Sequence, residues 1–300
     1  MDKSPFAKVL RDISFALEEK EILGLVGESG CGKSTLAKTI MQLYTPTQGE
    51  IVFEGRSLVG VSSNTLKEVR KKLQMVFQDP LSSLNPRMTV KETLREPFVI
   101  HKIYKNKLQE TERIIELLEL VGLQESYMQA FPHELSGGQR QRIGIARALA
   151  LQPKLILCDE PIAALDVSIQ AQMVNLLRHL HKKLQLTYLF ISHDLMMVRH
   201  LCTQVAVMYL GTLVEKAPVE ELYLHPKHPY TDALLSLIPR PLEKKPSIRV
   251  VIPGDIPHPS QALQGCVFAS RCPKATTLCR EKIPPLREIS PKHYVRCHLY

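Results

Sequence analysis

Gly27-Glu28-Ser29-Gly30-Cys31-Gly32-Lys33-Ser34-Thr35 decides how the rest of this 300-residue chain is read. The stretch fits G-x-x-x-x-G-K-[ST], a pattern with a definite physical purpose. Small residues let the backbone curl closely around an anion, so that its N–H groups point inward. A helix starting at the end of the loop adds a positive dipole end. Lys33 is then placed to bridge the β- and γ-phosphates of a nucleoside triphosphate, and the Ser34 hydroxyl to hold Mg²⁺. The flanks agree: Glu21-Ile22-Leu23-Gly24-Leu25-Val26 reads as a buried strand, and Leu36 to Leu43 as a helix. A Gly-rich turn without a ligand is the plainer alternative, and the strand–loop–helix context argues against it.

Outward from this loop, strand and helix patterns alternate as in a parallel sheet flanked by helices, which sets the expected fold class as α/β. Ile51 to Gly55 and Leu73 to Gln78 read as strands, as do Lys154 to Glu160, Thr187 to Ser192 and Gln204 to Tyr209. Residues 85–130 differ. Ile114, Ile115, Leu117, Leu118 and Val121 recur at helical spacing and strand signals are sparse, so a helical insertion is expected there.

Two segments carry further chemistry. Leu155-Ile156-Leu157-Cys158-Asp159-Glu160 is an apolar strand ending in two carboxylates, and burying such an acid is costly unless it meets a cation. Asp159 is expected to bind Mg²⁺, directly or through water, and Glu160 to polarise the water that attacks the γ-phosphate. In Leu135-Ser136-Gly137-Gly138-Gln139-Arg140-Gln141-Arg142, a serine and two glycines precede a helix from about Gln139 to Leu149. Free N–H groups and a positive helix end meet there, making a second anion site. One chain rarely needs two phosphate cradles for one nucleotide, so this one is expected to serve a nucleotide held mainly by another subunit.

Charge and composition divide the chain. Residues 226–300 hold 12 of the 39 Lys and Arg but 5 of the 30 Asp and Glu, with 12 of the 21 prolines. A second, irregular unit is therefore expected from about residue 226. A basic surface suits anionic lipid or nucleic acid, or is simply a solvated tail. No RNA-binding motif or interleaved aromatic residue supports nucleic acid. No apolar run approaches the roughly 20 residues of a membrane span. Met1-Asp2-Lys3-Ser4-Pro5 lacks the apolar core of a secretory signal, so a cytosolic chain is expected, with any membrane role exerted through a partner. The 7 cysteines then argue against a disulfide framework. Cys31 reads as a small filler between glycines and Cys158 as a buried strand residue.

The motif set resembles the nucleotide-binding subunit of an ABC transporter, a P-loop NTPase cassette with a helical subdomain at about 85–150. Leu135-Ser136-Gly137-Gly138-Gln139 matches the superfamily's defining motif. The resemblance implies that Gln78 is the Q-loop glutamine, sensing Mg²⁺ and the attacking water. It implies that Asp166, in Ala164-Leu165-Asp166, communicates across a dimer, and that His193 contacts the γ-phosphate. Phe6 falls near the place of the aromatic residue that stacks on adenine. Asp79 to Arg87, Ala164 to Gln172 and His228-Pro229-Tyr230-Thr231 resemble the oligopeptide/dipeptide importer branch. Ile162 and Ala163 depart from the small polar residue and serine common after Asp-Glu-Pro, and neither replaces a group the chemistry requires.

The resemblance covers essentially the whole chain and implies a cassette at 1–225 with an oligopeptide-type extension at 226–300. It implies ATP and Mg²⁺ as cofactors and a 4Fe–4S cluster on Cys266, Cys272, Cys279 and Cys297, spaced C-x₅-C-x₆-C-x₁₇-C. Structural zinc and four unligated thiols remain the competing readings of that spacing. The implied partners are a second ATPase subunit (usually a homologous but different chain), two membrane-spanning permease subunits and an extracytoplasmic substrate-binding protein, with no nucleic acid. The place of action is the cytoplasmic face of the cell membrane, and the implied activity is ATP hydrolysis that drives di- or oligopeptide import. A nickel or metal-chelate importer shares nearly the same ATPase architecture. A soluble ABC protein acting on DNA or ribosomes is the reading from another class, although such proteins commonly carry two cassettes or large coiled-coil insertions.

Overall fold

The computed structural model describes residues 9–79, 83–163, 165–238 and 264–300. Phe6 lies outside the described residues, as do Pro80, Leu81, Ser82 and Ala164 of the importer-type segments. In chain order, β1 (Ile22–Val26), α1 (Lys33–Ile40), β2 (Val52–Phe53), β3 (Arg56–Ser57), α2 (Ser63–Lys72) and β4 (Leu73–Val76) come first. Next are α3 (Val90–His101), α4 (Lys107–Leu120), α5 (Gly137–Leu149), β5 (Leu155–Asp159), α6 (Val167–Leu184), β6 (Thr187–Ile191) and α7 (Leu195–Leu201). The chain ends with β7 (Gln204–Tyr209), β8 (Thr212–Pro218), α8 (Val219–Leu224), α9 (Pro229–Ser236), α10 (Thr277–Glu281), β9 (Arg287–Ser290) and β10 (His293–Val295).

Two compact units divide these residues. The first draws on described residues within Met1–Leu17, Ile22–Leu36 and Ser192–Tyr300. Its strands run in the order β1-β7-β8-β10-β9, with β1 parallel to β7 and the rest antiparallel. Every residue of β1 and β7 is buried, which explains their unbroken run of mostly apolar residues. A Cβ on Gly24 would stand 2.7 Å from Val198 and 2.9 Å from Cys202, so glycine lets α7 lie directly on β1. Leu210 and Gly211, both at positive φ, form the tight turn from β7 to β8.

Three segments of this unit meet at Glu215, whose side chain is fully buried. Its carboxylate accepts the N–H groups of Lys227 and His228, each at 2.9 Å, and His293 Nε2 lies at 2.7 Å. A buried acid is tolerable only when its oxygens are filled in this way. His228 caps α9, its Nδ1 accepting the Tyr230 N–H at 3.1 Å, which requires an unprotonated Nδ1. Burial pushes the His228 pKa down to about 4, against the raising effect of Glu215.

The second unit comprises Glu18–Glu21 and the described residues of Ala37–Ile191. Its main strands run β4-β5-β6, all parallel, with Val76 opposite Cys158 and Asp159 opposite Ile191. The helical insertion forms as the spacing predicts. Leu94 and Phe98 of α3, Ile114, Leu117 and Leu118 of α4, and Ile143 of α5 are all buried. Thr89 and Glu92 close a capping box on α3, and Arg95 reaches Glu110 of α4 at 2.6 Å.

The His228 environment predicts a pH dependence with a definite sign. The unfolded chain takes up a proton near pH 6.5, whereas folded His228 resists it until about pH 4. The stability this neutral histidine contributes is therefore complete above about pH 6.5 and lost as pH falls toward about 4. His228→Asn keeps a capping acceptor that does not titrate. Urea titrations at pH 7.5 and 5.0 should show the wild type losing about 2 kcal/mol more than the variant; equal losses would contradict this reading.

Candidate nucleotide-binding site

The P-loop lies in the first unit, between β1 and α1. Gly27 has φ +152°, and a Cβ there would stand 2.1 Å from the Met208 carbonyl oxygen, so only glycine can begin the loop. Gly32, at φ +103°, is the second position that demands glycine. Lys33 is 5% exposed, and its ammonium donates to the carbonyls of Gly27 at 2.8 Å and Glu28 at 3.1 Å. The lysine thus crosses its own loop, where phosphoryl oxygens can replace those carbonyls as acceptors. Burial raises the Cys31 thiol pKa despite the nearby Lys33 charge, in keeping with an inert filler. Ser29 and Gly30 are exposed, and Ser34 and Thr35 are half-buried at the start of α1.

Sequence reasoning missed what holds Glu28. Its N–H donates to the Tyr230 hydroxyl at 2.9 Å, and its carboxylate accepts Arg271 Nη1 at 3.0 Å. Tyr230 stands in the importer-type segment His228-Pro229-Tyr230-Thr231 and Arg271 in the extension, but nothing in their spacing points to the P-loop. In the same unit His193 is exposed, one residue before Asp194, which caps α7 by accepting the N–H groups of Met196 and Met197.

In the second unit Asp159 ends β5 at 3% exposure. Glu160 follows at φ 45°, a left-handed conformation that costs a non-glycine residue on the order of 1 kcal/mol. Its N–H is tied to the Ile191 carbonyl at 3.0 Å. Gln78 Nε2 donates to Glu160 Oε2 at 3.1 Å, so two sequence-predicted site residues, 82 positions apart, come together. Ser136 caps α5 in a reciprocal box: Gln139 N–H donates to its hydroxyl at 3.3 Å, and Ser136 N–H to Gln139 Oε1 at 2.8 Å. Gln139 Nε2 also donates to the Tyr127 hydroxyl at 2.9 Å, which fixes the glutamine within its own subunit. A Cβ on Gly138 would stand 2.9 Å from Ile169, so this glycine lets α6 approach. Ser136 and Gly137 remain exposed at the positive end of α5. Asp166 caps α6, accepting the Ile169 N–H at 3.0 Å and the Ser168 hydroxyl at 2.8 Å.

The tail thiols form a group of their own. Cys279 is buried, and Cys266, Cys272 and Cys297 are half-buried. Burial pushes the Cys266 pKa up to about 11, and Cys279, Cys297 and Cys272 add to the rise. Burial likewise raises Cys272 and Cys297, with Cys279 adding to both and Cys272 to the latter. Cys266 N–H donates to the Cys279 carbonyl at 2.7 Å, clasping the two ends of the loop. Among the described residues no group of three or more His, Cys, Asp or Glu side chains is arranged around a single metal ion. Among them, too, no helix is long and apolar enough to cross a membrane.

This fold, with its P-loop and capped Ser-Gly-Gly-Gln helix, defines an ATP-binding cassette. The chain belongs to the ABC transporter family: the model described as "ABC transporter" matches residues 10–163. A second, "Oligopeptide/dipeptide transporter, C-terminal region", matches residues 214–279. Oligopeptide transport ATP-binding protein AppF of Bacillus subtilis is 52% identical over 297 residues, covering 98% of this chain and 90% of that protein. Oligopeptide transport ATP-binding protein OppF of Haemophilus influenzae is 48% identical, covering 97% and 88%. A solved dimer of MJ0796, titled a bacterial ABC transporter cassette, matches with a TM-score of 0.66 and 28% identity, covering 73% of this chain and 94% of that one.

Proposed function

We propose that this chain is the ATP-hydrolysing subunit that energises an importer of di- or oligopeptides. The observation that carries the reading is one chain joining a P-loop whose lysine is buried among its carbonyls to an oligopeptide-type C-terminal region at 214–279. The cassette spans 1–225 and the extension 226–300. ATP lies on the N–H groups of Gly27 to Thr35, with Lys33 at the β- and γ-phosphates and Phe6 as the residue that stacks on adenine. Ser34, Asp159 and Gln78 offer hydroxyl, carboxylate and amide oxygen donors, the hard set that suits Mg²⁺. When bound, Mg²⁺ supplies neutralisation of charge on the transferring phosphoryl group.

Glu160 takes the proton of the attacking water, Gln78 steadies that carboxylate through the 3.1 Å hydrogen bond, and His193 contacts the γ-phosphate. Ser136, Gly137, Gly138 and Gln139 present the positive end of α5 to a nucleotide held by a second, homologous ATPase chain, and Asp166 communicates across that pair. Closure of the pair on ATP is passed to two permease subunits at the cytoplasmic face of the membrane, which are supplied by an extracytoplasmic binding protein. Cys266, Cys272, Cys279 and Cys297 hold a 4Fe–4S cluster. The Cys266 N–H bond to the Cys279 carbonyl, at 2.7 Å, brings two of these four cysteines together and supports this ligand set. Such a cluster supplies a covalent staple for a proline-rich segment too small to bury its own core.

Two measurements test this reading. Glu160→Gln should lower ATP turnover by about 100-fold or more while ATP still drives association with the partner ATPase; turnover within about twofold of wild type would contradict the role of Glu160. Anaerobically purified protein should carry about four iron and four sulfide per chain and lose both in Cys272→Ser. Zinc in their place, or no metal, would overturn the cluster assignment.

A further inference from the structure

Glu28 is the only carboxylate in the P-loop, and the extension holds it at both its backbone and its side chain. The Tyr230 hydroxyl accepts its N–H at 2.9 Å. Arg271 Nη1 grips its carboxylate at 3.0 and 3.3 Å. The same nitrogen donates to the Tyr209 hydroxyl at 3.2 Å. Below this network the rings of Tyr209, Tyr230 and Phe268 pack together, with centroids 4.7, 5.2 and 5.4 Å apart. Arg271 is 8% exposed and Phe268 1%, so neither side chain is a loose surface group. Both belong to the short loop from Cys266 to Cys272, which closes on itself through an Arg271 N–H bond to the Phe268 carbonyl at 3.0 Å.

An acid in a loop built for a polyanion works against binding. Its charge repels the triphosphate unless a cation cancels it, and the partly buried setting weakens solvent screening. The Glu28 carbonyl also receives the Lys33 ammonium at 3.1 Å, so displacement of Glu28 shifts the lysine that meets the phosphates. Arg271 therefore does two things: it neutralises Glu28, and it fixes the peptide on which Lys33 rests.

We propose that Arg271 is a positioning residue for triphosphate binding, through which the cysteine-bearing loop Cys266–Cys272 braces the P-loop. The inference rests on the ATPase reading above and deepens it: the extension acts on the nucleotide site of its own chain. Equilibrium binding of the fluorescent analogue MANT-ATP with Mg²⁺ to the full chain tests it. Arg271→Met should raise the Kd about 3- to 10-fold, and Arg271→Lys should recover part of the loss. The double variant Arg271→Met with Glu28→Gln should bind more tightly than Arg271→Met alone, because the unpaired carboxylate is gone. Wild-type affinity in Arg271→Met, or a double variant as weak as Arg271→Met, would overturn the brace. A wild-type chain that binds no MANT-ATP would sink the ATPase reading and this inference together.

Discussion

The Met208 carbonyl oxygen stands 2.1 Å from the point where any residue but glycine at position 27 would carry its Cβ. That close approach seats the P-loop on β7. Lys33 has carbonyls of its own loop as acceptors, so its buried charge is satisfied within the loop. A loop shape held by the sheet is what electrostatic preorganisation requires.

The same economy recurs at the other candidate positions. Several of the polar candidate residues are also held by a local contact. Glu160 is tied through its N–H to β6 and through its carboxylate to Gln78. Ser136 and Gln139 hold each other in a capping box, and Tyr127 secures the glutamine amide. Asp166 spends one oxygen on the start of α6. The serine and glutamine of the Ser-Gly-Gly-Gln segment thus have a structural reason within their own subunit, and Gly138 has one too, because it admits Ile169. Ser136 and Gly137 themselves stay exposed at the start of α5.

Much of this was legible in the sequence, for reasons that differ by element. β1, β5 and β6 announce themselves because strands covered on both faces need apolar residues throughout. α4 shows in its apolar spacing, and it spans Lys107–Leu120 with Val121 as its C-cap. The strand expected over Leu73 to Gln78 stops at Val76, leaving Phe77 and Gln78 exposed in a loop. β8 escaped notice because Glu215 and Lys216, both buried, interrupt its apolar pattern; their partners, His293 and the Ala16 carbonyl, are distant in sequence. The grip of Arg271 on Glu28, across 243 positions, escaped for the same reason. Local pattern reports a residue's own burial and geometry, whereas long-range polar pairing leaves no period to read.

The central claim is that this chain converts ATP binding at Lys33 into movement of a peptide through a separate membrane assembly. The most direct measurement is uptake of a labelled oligopeptide into vesicles that hold both ATPase chains and both permeases, with ATP inside and binding protein outside. With Lys33→Ala, uptake should fall to the level of vesicles without nucleotide. Uptake equal to that of the wild type, with no ATP consumed, would contradict the claim.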